Sequence, residues 1–239
     1  MPTTQTYNVD KASTGRPRQA RASKNRRGVL SRARILAAAL VLVDQDGLDA
    51  LTMRRLADHL EVDPMSIYNY INGKEALLDG LAEQLWREVP LPDRAKGWKT
   101  VLRAYAISIR DIARRHPLAY SLLLSRGILP GPALELIDNS LHTLETAGLK
   151  RPKAAEMMRT LHAYAAGYAT LELTCAPAAG STQLEQIVNL TRALPADAPT
   201  RLVEVAQLMA DCDTDYQFKL GLDLILTGLE ARVSIAHQE

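Results

Sequence analysis

Aromatic side chains are scarce in this chain, at 5% with a single phenylalanine, so any core must be built from Leu, Ile, Val, Ala and Met. Cysteine is nearly absent too. Cys175 and Cys212 stand 37 residues apart with no C-x-x-C pairing, a spacing that argues against a disulfide or a thiolate metal site. Long apolar runs are missing, because the longest, Ile35 to Val43, is too short to cross a bilayer. No signal peptide precedes a small-residue cleavage site, so the expected compartment is the cytoplasm, with no membrane partner. Alternation at period two never lasts and β-branched residues are scattered, so strands are not expected. Catalytic constellations are lacking as well. His59, His116, His142, His162 and His237 are dispersed, with no H-E-x-x-H, no glycine-rich phosphate loop and no convincing triad. The expectation is therefore no enzyme, no metal and no cofactor.

What is present is helical and unevenly charged. The 239 residues, 47% of them apolar, suffice for one or two domains with a substantial core. The net charge is only +2, yet residues 1–30 carry Lys11, Arg16, Arg18, Arg21, Lys24, Arg26 and Arg27 against Asp10 alone. With almost no large apolar side chains, that segment cannot offset its ordering entropy by burial and reads as a disordered basic arm. It is either an arm that meets phosphates or a minor groove, or a solvated tail.

Helical periodicity governs the rest. The first helix is predicted from its N-cap Ser31 to Asp46, with Ile35, Leu36, Ala39, Leu42 and Val43 as its buried stripe and Gly47 as its left-handed cap. Thr52 caps a second helix ending near Leu60. Asp63 followed by Pro64 opens a third helix of about two turns. Asn72, three residues before Glu75, resembles a capping box for a fourth helix that runs to about Glu88 and stops at Pro90 and Pro92. Further helices are predicted over Trp98–Arg115, Leu118–Leu124, Pro132–Ala147 and Pro152–Cys175. The stretch 176–200 reads mainly as loop, with a helical piece near Leu184–Leu194, before last helices over Thr200–Ala210 and Thr214–Val233. The expected fold is all-α: a disordered arm (1–30), a three-helix helix-turn-helix domain with its connecting helix (31–89), and a larger helical bundle (90–239). No internal repeat is apparent.

Residues 51–78, LTMRRLADHLEVDPMSIYNYINGKEALL, carry the clearest functional signal. A helix-turn-helix needs an apolar spine that fixes two short helices and leaves the second free for the major groove. Leu56, Ala57, Leu60, Val62, Ile67 and Ile71 supply the spine. The other face presents Met65, Ser66, Asn69 and Tyr70, with Pro64 at its entrance. Asn is a bidentate reader of adenine, Ser donates or accepts, and Met or Pro can touch a thymine methyl. Arg54 is the best-placed long cation for a guanine edge, whereas Arg55 reads as a solvated charge. Tyr68, Lys74 and the capped helix starts suit phosphates. Residues 31–85 hold five basic and nine acidic side chains, so binding would lean on the arm and a few placed cations.

The run LTMRRLADHLEVDPMSIYNYINGKEALLDGLAEQLW resembles the signature of the tetracycline-repressor (TetR) family. Shared features are the hydrophobic-Thr start, the Arg-x-Leu-Ala core, the Ile-Tyr pair after a short turn, and Lys-x-x-Leu-Leu opening the connecting helix. The chain departs from the family's usual Gly at Glu61, its frequent His at Tyr70 and its larger aromatic at Asn69, so base preference does not transfer. The resemblance implies a homodimer with a ligand pocket in the C-terminal domain. It also implies that Arg54, Met65, Ser66, Asn69 and Tyr70 face bases, while Thr52, Met53, Tyr68 and Lys74 sit at the backbone.

In the bundle, Phe218, Leu222, Ile225 and Leu229 form one seam of the final helix, with Gly221 and Gly228 one heptad apart. The preceding long helix offers Met158, Ala165 and Tyr168. Two such helices from each of two chains would make a four-helix interface; the alternative is packing within one chain. DYQFKLGLDLILTGLEARV also resembles the closing segment of TetR-like C-terminal domains. A two-fold dimer sets its reading helices roughly 34–36 Å apart, so the expected target is a double-stranded operator with an inverted repeat. Candidates for a mostly apolar ligand pocket are Tyr105, Ile109, Leu123, Leu136, Met157, Leu161, His162 and Tyr164, which suits an apolar or aromatic inducer. Tetracycline itself is not expected, because Leu122, Leu123 and Leu124 stand where the tetracycline repressors place a magnesium-chelating His. The resemblance implies a repressor released by a small molecule, with a ligand-independent regulator or an activator as the alternative.

Overall fold

Helix α1 (Arg32–Asp46) buries Ile35, Leu36, Ala39, Leu40, Leu42 and Val43, the expected stripe with Leu40 added. The computed structural model describes residues 29–126, 129–174 and 213–236, with residues 185, 199, 201 and 205 isolated between the last two segments. The expected arm, both cysteines, the 176–200 loop with its helical piece and the 200–210 helix lie outside those described stretches. Among the described residues there is no strand, and no helix is long and apolar enough to cross a membrane.

Gly47 turns the chain out of α1 at φ 81°. Helices α2 (Met53–Leu60) and α3 (Pro64–Tyr68) follow, then α4 (Gly73–Arg87). Helix α3 is five residues long, shorter than the two turns expected. The expected capping box at Asn72 does not form. The chain enters α4 through Gly73 at φ 86°, and Asn72 (φ −82°, ψ 75°) makes no side-chain cap bond, since it lacks the extended geometry that aims a cap at the first turn. Helix α4 crosses α1 at Gly80, where a Cβ would fall 2.6 Å from Cδ2 of Leu36. Any side chain there would force Leu36 to shift.

A 3-10 turn (Arg94–Lys96), not foreseen from the sequence, links α4 to α5 (Trp98–Arg115). The linker is pinned to α7 (Gly131–Thr146): Asn139 donates to the carbonyl of Pro92 at 2.8 Å, and Arg94 donates to Asn139 and, at 3.1 Å, to Asp138. Helix α6 (Ser121–Ser125) starts later than predicted, and α7 (Gly131–Thr146), α8 (Arg151–Thr174) and α9 (Thr214–Ala236) complete the described body. Helix α5 is its centre, packed on α7, α8 and α9. Arg110 to Glu172 (α8), and Arg103 to Asp223 and Lys99 to Glu230 (α9), are ion pairs running along its length.

Candidate DNA-reading head and helical body

Two side-chain caps fix the head. Thr52 is extended (φ −125°, ψ 153°) and its hydroxyl accepts from the backbone N–H of Arg55 at 3.1 Å. Asp63 does the same for Met65 at 2.8 Å, with Pro64 supplying a preset φ behind it. Between them Glu61 ends α2 in the left-handed region (φ 55°, ψ 45°), its N–H reaching the carbonyls of Ala57 and Asp58. A glycine would adopt this conformation without the roughly 1–2 kcal/mol that a Cβ adds there. Leu56, Ala57, Leu60, Ile67 and Ile71 are buried and Val62 is half-buried, so the expected spine is the one that forms.

None of the ten proposed DNA contacts is buried. Thr52, Arg54, Pro64, Met65, Tyr68, Asn69, Tyr70 and Lys74 are exposed, and Met53 and Ser66 are half-buried. Met65 is 70% exposed, a high value for an apolar side chain beside a packed spine. The two adjacent arginines separate cleanly. Arg55 is occupied by an ion pair with Asp46 at the end of α1, whereas Arg54 is exposed with no ion pair among the described residues.

The body rearranges the sequence expectations. Tyr105, Ile109, Leu136, Met157 and Leu161 are buried, with Leu123, His162 and Tyr164 half-buried. Tyr105 and His162 come together, hydroxyl to Nδ1 at 2.7 Å. Burial pushes the Tyr105 phenol well above its usual range and the His162 imidazole below its own, so the contact joins two neutral groups. Tyr164 does not join them. Two residues along a helix turn a side chain by about 200°; Tyr164 faces α9 instead, stacked on Phe218 at 5.6 Å and donating to its carbonyl at 2.9 Å. Of the eight expected pocket residues, Leu136 lines a groove of about 430 Å³ between α4 and α7, with Trp86, Val89, Glu83, Arg87 and Glu135.

The expected dimer seam requires correction. Met158, Ala165, Phe218, Leu222 and Leu229 are buried within the chain, because α9 lays that stripe on α5 and α8. Tyr168 edges onto Phe218 at 5.2 Å, and Ile225 is half-buried. Gly221 serves Tyr164, since a Cβ there would lie 2.8 Å from its Cζ; Gly228 faces open space. At the centre of this packing sits Arg110, its side chain 6% exposed. It donates twice to Glu172 at 2.6 Å, pairs with Asp215 at 2.8 Å and lies 4.6 Å from the Phe218 ring. Sequence reasoning missed this arginine, although its place on the apolar face of α5 was a signal. Among the described residues no three His, Cys, Asp or Glu gather as a metal site.

A capped helix-turn-helix with an exposed polar reading face, mounted on a larger helical body, is the build of a DNA-binding transcription regulator. Residues 35–81 match the family described as bacterial regulatory proteins, tetR family, and residues 91–233 match the tetracyclin repressor-like C-terminal domain. The chain belongs to the tetR family. It is a ligand-responsive transcriptional repressor rather than an enzyme. Among its relatives, the HTH-type transcriptional repressor DrrR1 of Streptomyces coeruleorubidus is 32% identical over 226 residues, covering 90% of this chain and 82% of that one. The class C tetracycline repressor of Escherichia coli is 30% identical over 210 residues, 84% and 91% of the two chains. The crystal structure of Streptomyces coelicolor ActR with actinorhodin superposes with a TM-score of 0.70 at 27% identity, covering 85% of this chain and 97% of that one.

Proposed function

We propose that two copies of this chain bind an inverted-repeat operator in the cytoplasm and are released from it by an apolar or aromatic small molecule. The observation that carries the reading is the exposed set over the Ile67–Ile71 spine. Arg54, Met65, Ser66, Asn69 and Tyr70 face base edges with Pro64 at their entrance, while Thr52, Met53, Tyr68 and Lys74 hold the backbone. Dimerisation is supported by two apolar stripes left open on the outer faces of the last helices. On α9, Tyr216, Leu220 and Leu224 recur every four residues, with Leu224 67% exposed. On α8, Ala163, Gly167 and Leu171 do the same. An uncovered stripe on each of two neighbouring helices is what a four-helix interface between copies needs.

The ligand class rests on the mostly apolar set of buried Tyr105, Ile109, Leu136, Met157 and Leu161, together with half-buried Leu123 and His162. It is also supported by ActR, a structural relative crystallised with actinorhodin. A ligand moves the equilibrium only by its preference for the conformer whose reading helices are wrongly spaced. The test is a mobility-shift titration with the duplex upstream of the protein's own coding sequence, against salt and a panel of polycyclic aromatic compounds. Retardation weakened by salt and reversed by some of the panel is expected. A monomer indifferent to that duplex at every salt concentration would refute the reading.

A further inference from the structure

The corner where α5 ends reaches the head by a route that does not pass along α4. His116 is the C-cap residue of α5, its backbone N–H bonded to the Ile112 carbonyl at 2.8 Å. Its ring lies between two carboxylates. Nδ1 is 2.7 Å from Oδ2 of Asp44 on α1, and Nε2 is 3.1 Å from Oε2 of Glu88 at the end of α4. The Arg115 guanidinium grips the same Glu88 oxygen. These groups are sheltered, with side-chain exposures of 14% for His116, 28% for Asp44 and 25% for Glu88. The second Asp44 oxygen, Oδ1, is buried without a hydrogen-bond partner, so His116 is the group that satisfies this carboxylate. A neutral imidazole has one N–H to offer, whereas the imidazolium donates to both neighbours.

Asp44 sits two residues before Asp46, the partner of Arg55 on α2. The C-terminal turn of α1 is thus tied on two sides, by Asp44 to His116 at the α5 corner and by Asp46 to Arg55 on α2. Arg54, an exposed cation of the head with no ion pair among the described residues, is the next residue along. We propose that His116 is a positioning residue, a bolt that sets the pose of the DNA-reading head through its contact with Asp44 on α1, in addition to the connection through α4. It touches neither DNA nor ligand and acts through Asp44. Movement of the α5–α6 corner would then be felt by the reading helices directly.

The test uses the full-length chain as wild type, His116→Phe (ring kept, donors lost), Asp44→Asn and the double variant. Hydrogen exchange should quicken in peptides covering residues 40–60 in each variant and stay unchanged across 98–112 and 151–172. Binding to the duplex upstream of the protein's own coding sequence should weaken roughly three- to tenfold in either single variant, and the double variant should be no weaker than the singles. Should His116→Phe fail to fold, His116→Gln, which keeps an amide donor, carries the same comparisons with smaller effects. Unchanged exchange over residues 40–60, or losses that simply multiply in the double variant, would overturn the proposal. The exchange arm needs no DNA, so failure of the wild type to bind the duplex would count against the operator reading alone.

Discussion

Gly221→Ala should destabilise the body even though it places a better helix former in the middle of α9. A Cβ on Gly221 falls 2.8 Å from Cζ and 3.0 Å from Cε2 of Tyr164, and closer still to its hydroxyl. The ring is poorly free to retreat, because its hydroxyl is bonded to the Phe218 carbonyl at 2.9 Å and its face stacks on Phe218 with 17° between planes. Two effects oppose. Exchanging Gly for Ala inside a helix gains about 1 kcal/mol. Displacing Tyr164 forfeits a hydrogen bond worth about 1 kcal/mol and overpacks a filled site at about 1–3 kcal/mol. The clash should win by about 1–3 kcal/mol, which lowers the melting temperature by roughly 2–12 °C for a chain of this size. Thermal and urea unfolding followed by circular dichroism would measure it. The control is Gly228→Ala, where a Cβ meets nothing within 4 Å and the same exchange should be neutral or stabilising by up to about 1 kcal/mol. If Gly221→Ala proved as stable as Gly228→Ala, the contact with Tyr164 would not exist and the glycine would need another explanation.

Arg54→Ala should relax preference at one base pair at a cost of about 1–3 kcal/mol, while Lys74→Ala should weaken all duplexes alike; equal losses on specific and random DNA for Arg54→Ala would remove it from the reading set. Asp63→Ala deletes the acceptor for the Met65 amide and should cost about 1 kcal/mol of stability, whereas Asp63→Asn, which can still cap, should cost little, a contrast that denaturation curves resolve. Acid should loosen the body through the Arg110 cluster. Burial pushes the Glu172 carboxyl up, but hydrogen bonds from Arg110 and Arg114 outweigh it and hold the group below its ordinary 4.5. A depressed folded value means the stabilisation is complete above about pH 4.5 and is lost as pH falls through that lower value. Melting temperature should therefore drop on acidification, and Arg110→Met should flatten that limb; parallel pH profiles for the two proteins would show that the cluster does not form.

The head was legible because its determinants are local. Thr52, Asp63 and Pro64 act within three residues of where they stand, and the Ile67–Ile71 pair shares a face by helical spacing alone. The body was legible as helices but not as contacts. Helix α9 carries two apolar stripes, one through Phe218, Leu222, Leu226, Leu229 and Val233, the other through Tyr216, Leu220 and Leu224. Periodicity shows that a stripe exists and says nothing of what covers it. Phe218, Leu222 and Leu229 of the longer one were assigned to a partner chain, but they pack within their own. Gly221 likewise marks a close approach, made by Tyr164 of the same chain. Asn72 failed for a smaller reason, since the left-handed backbone at Gly73 is a property of the turn that no capping pattern encodes.

The distribution of polar contacts also says where the molecule can yield. Inside the body, Arg110 is buried with Glu172, and breaking such a pair by removing one partner costs about 3–5 kcal/mol. Between head and body the polar ties are of another kind: Arg126 to Glu75 at 2.9 Å and to Asp79. The partners of Arg126 are largely exposed, at 79% and 49%. Exposed pairs are worth about 0.2–1 kcal/mol each, and the sheltered His116 seat adds more. Moving a population from one conformer almost wholly to another takes about 5.5 kcal/mol of differential binding. A joint held by a few ties of this size lies within reach of one small ligand, whereas reorganising the Arg110 cluster as well would exceed it. Ligand-driven motion should therefore tilt the head on an unchanged body. Spin-label distances within the α5–α8–α9 core that shifted as much as head-to-body distances on ligand addition would contradict that division.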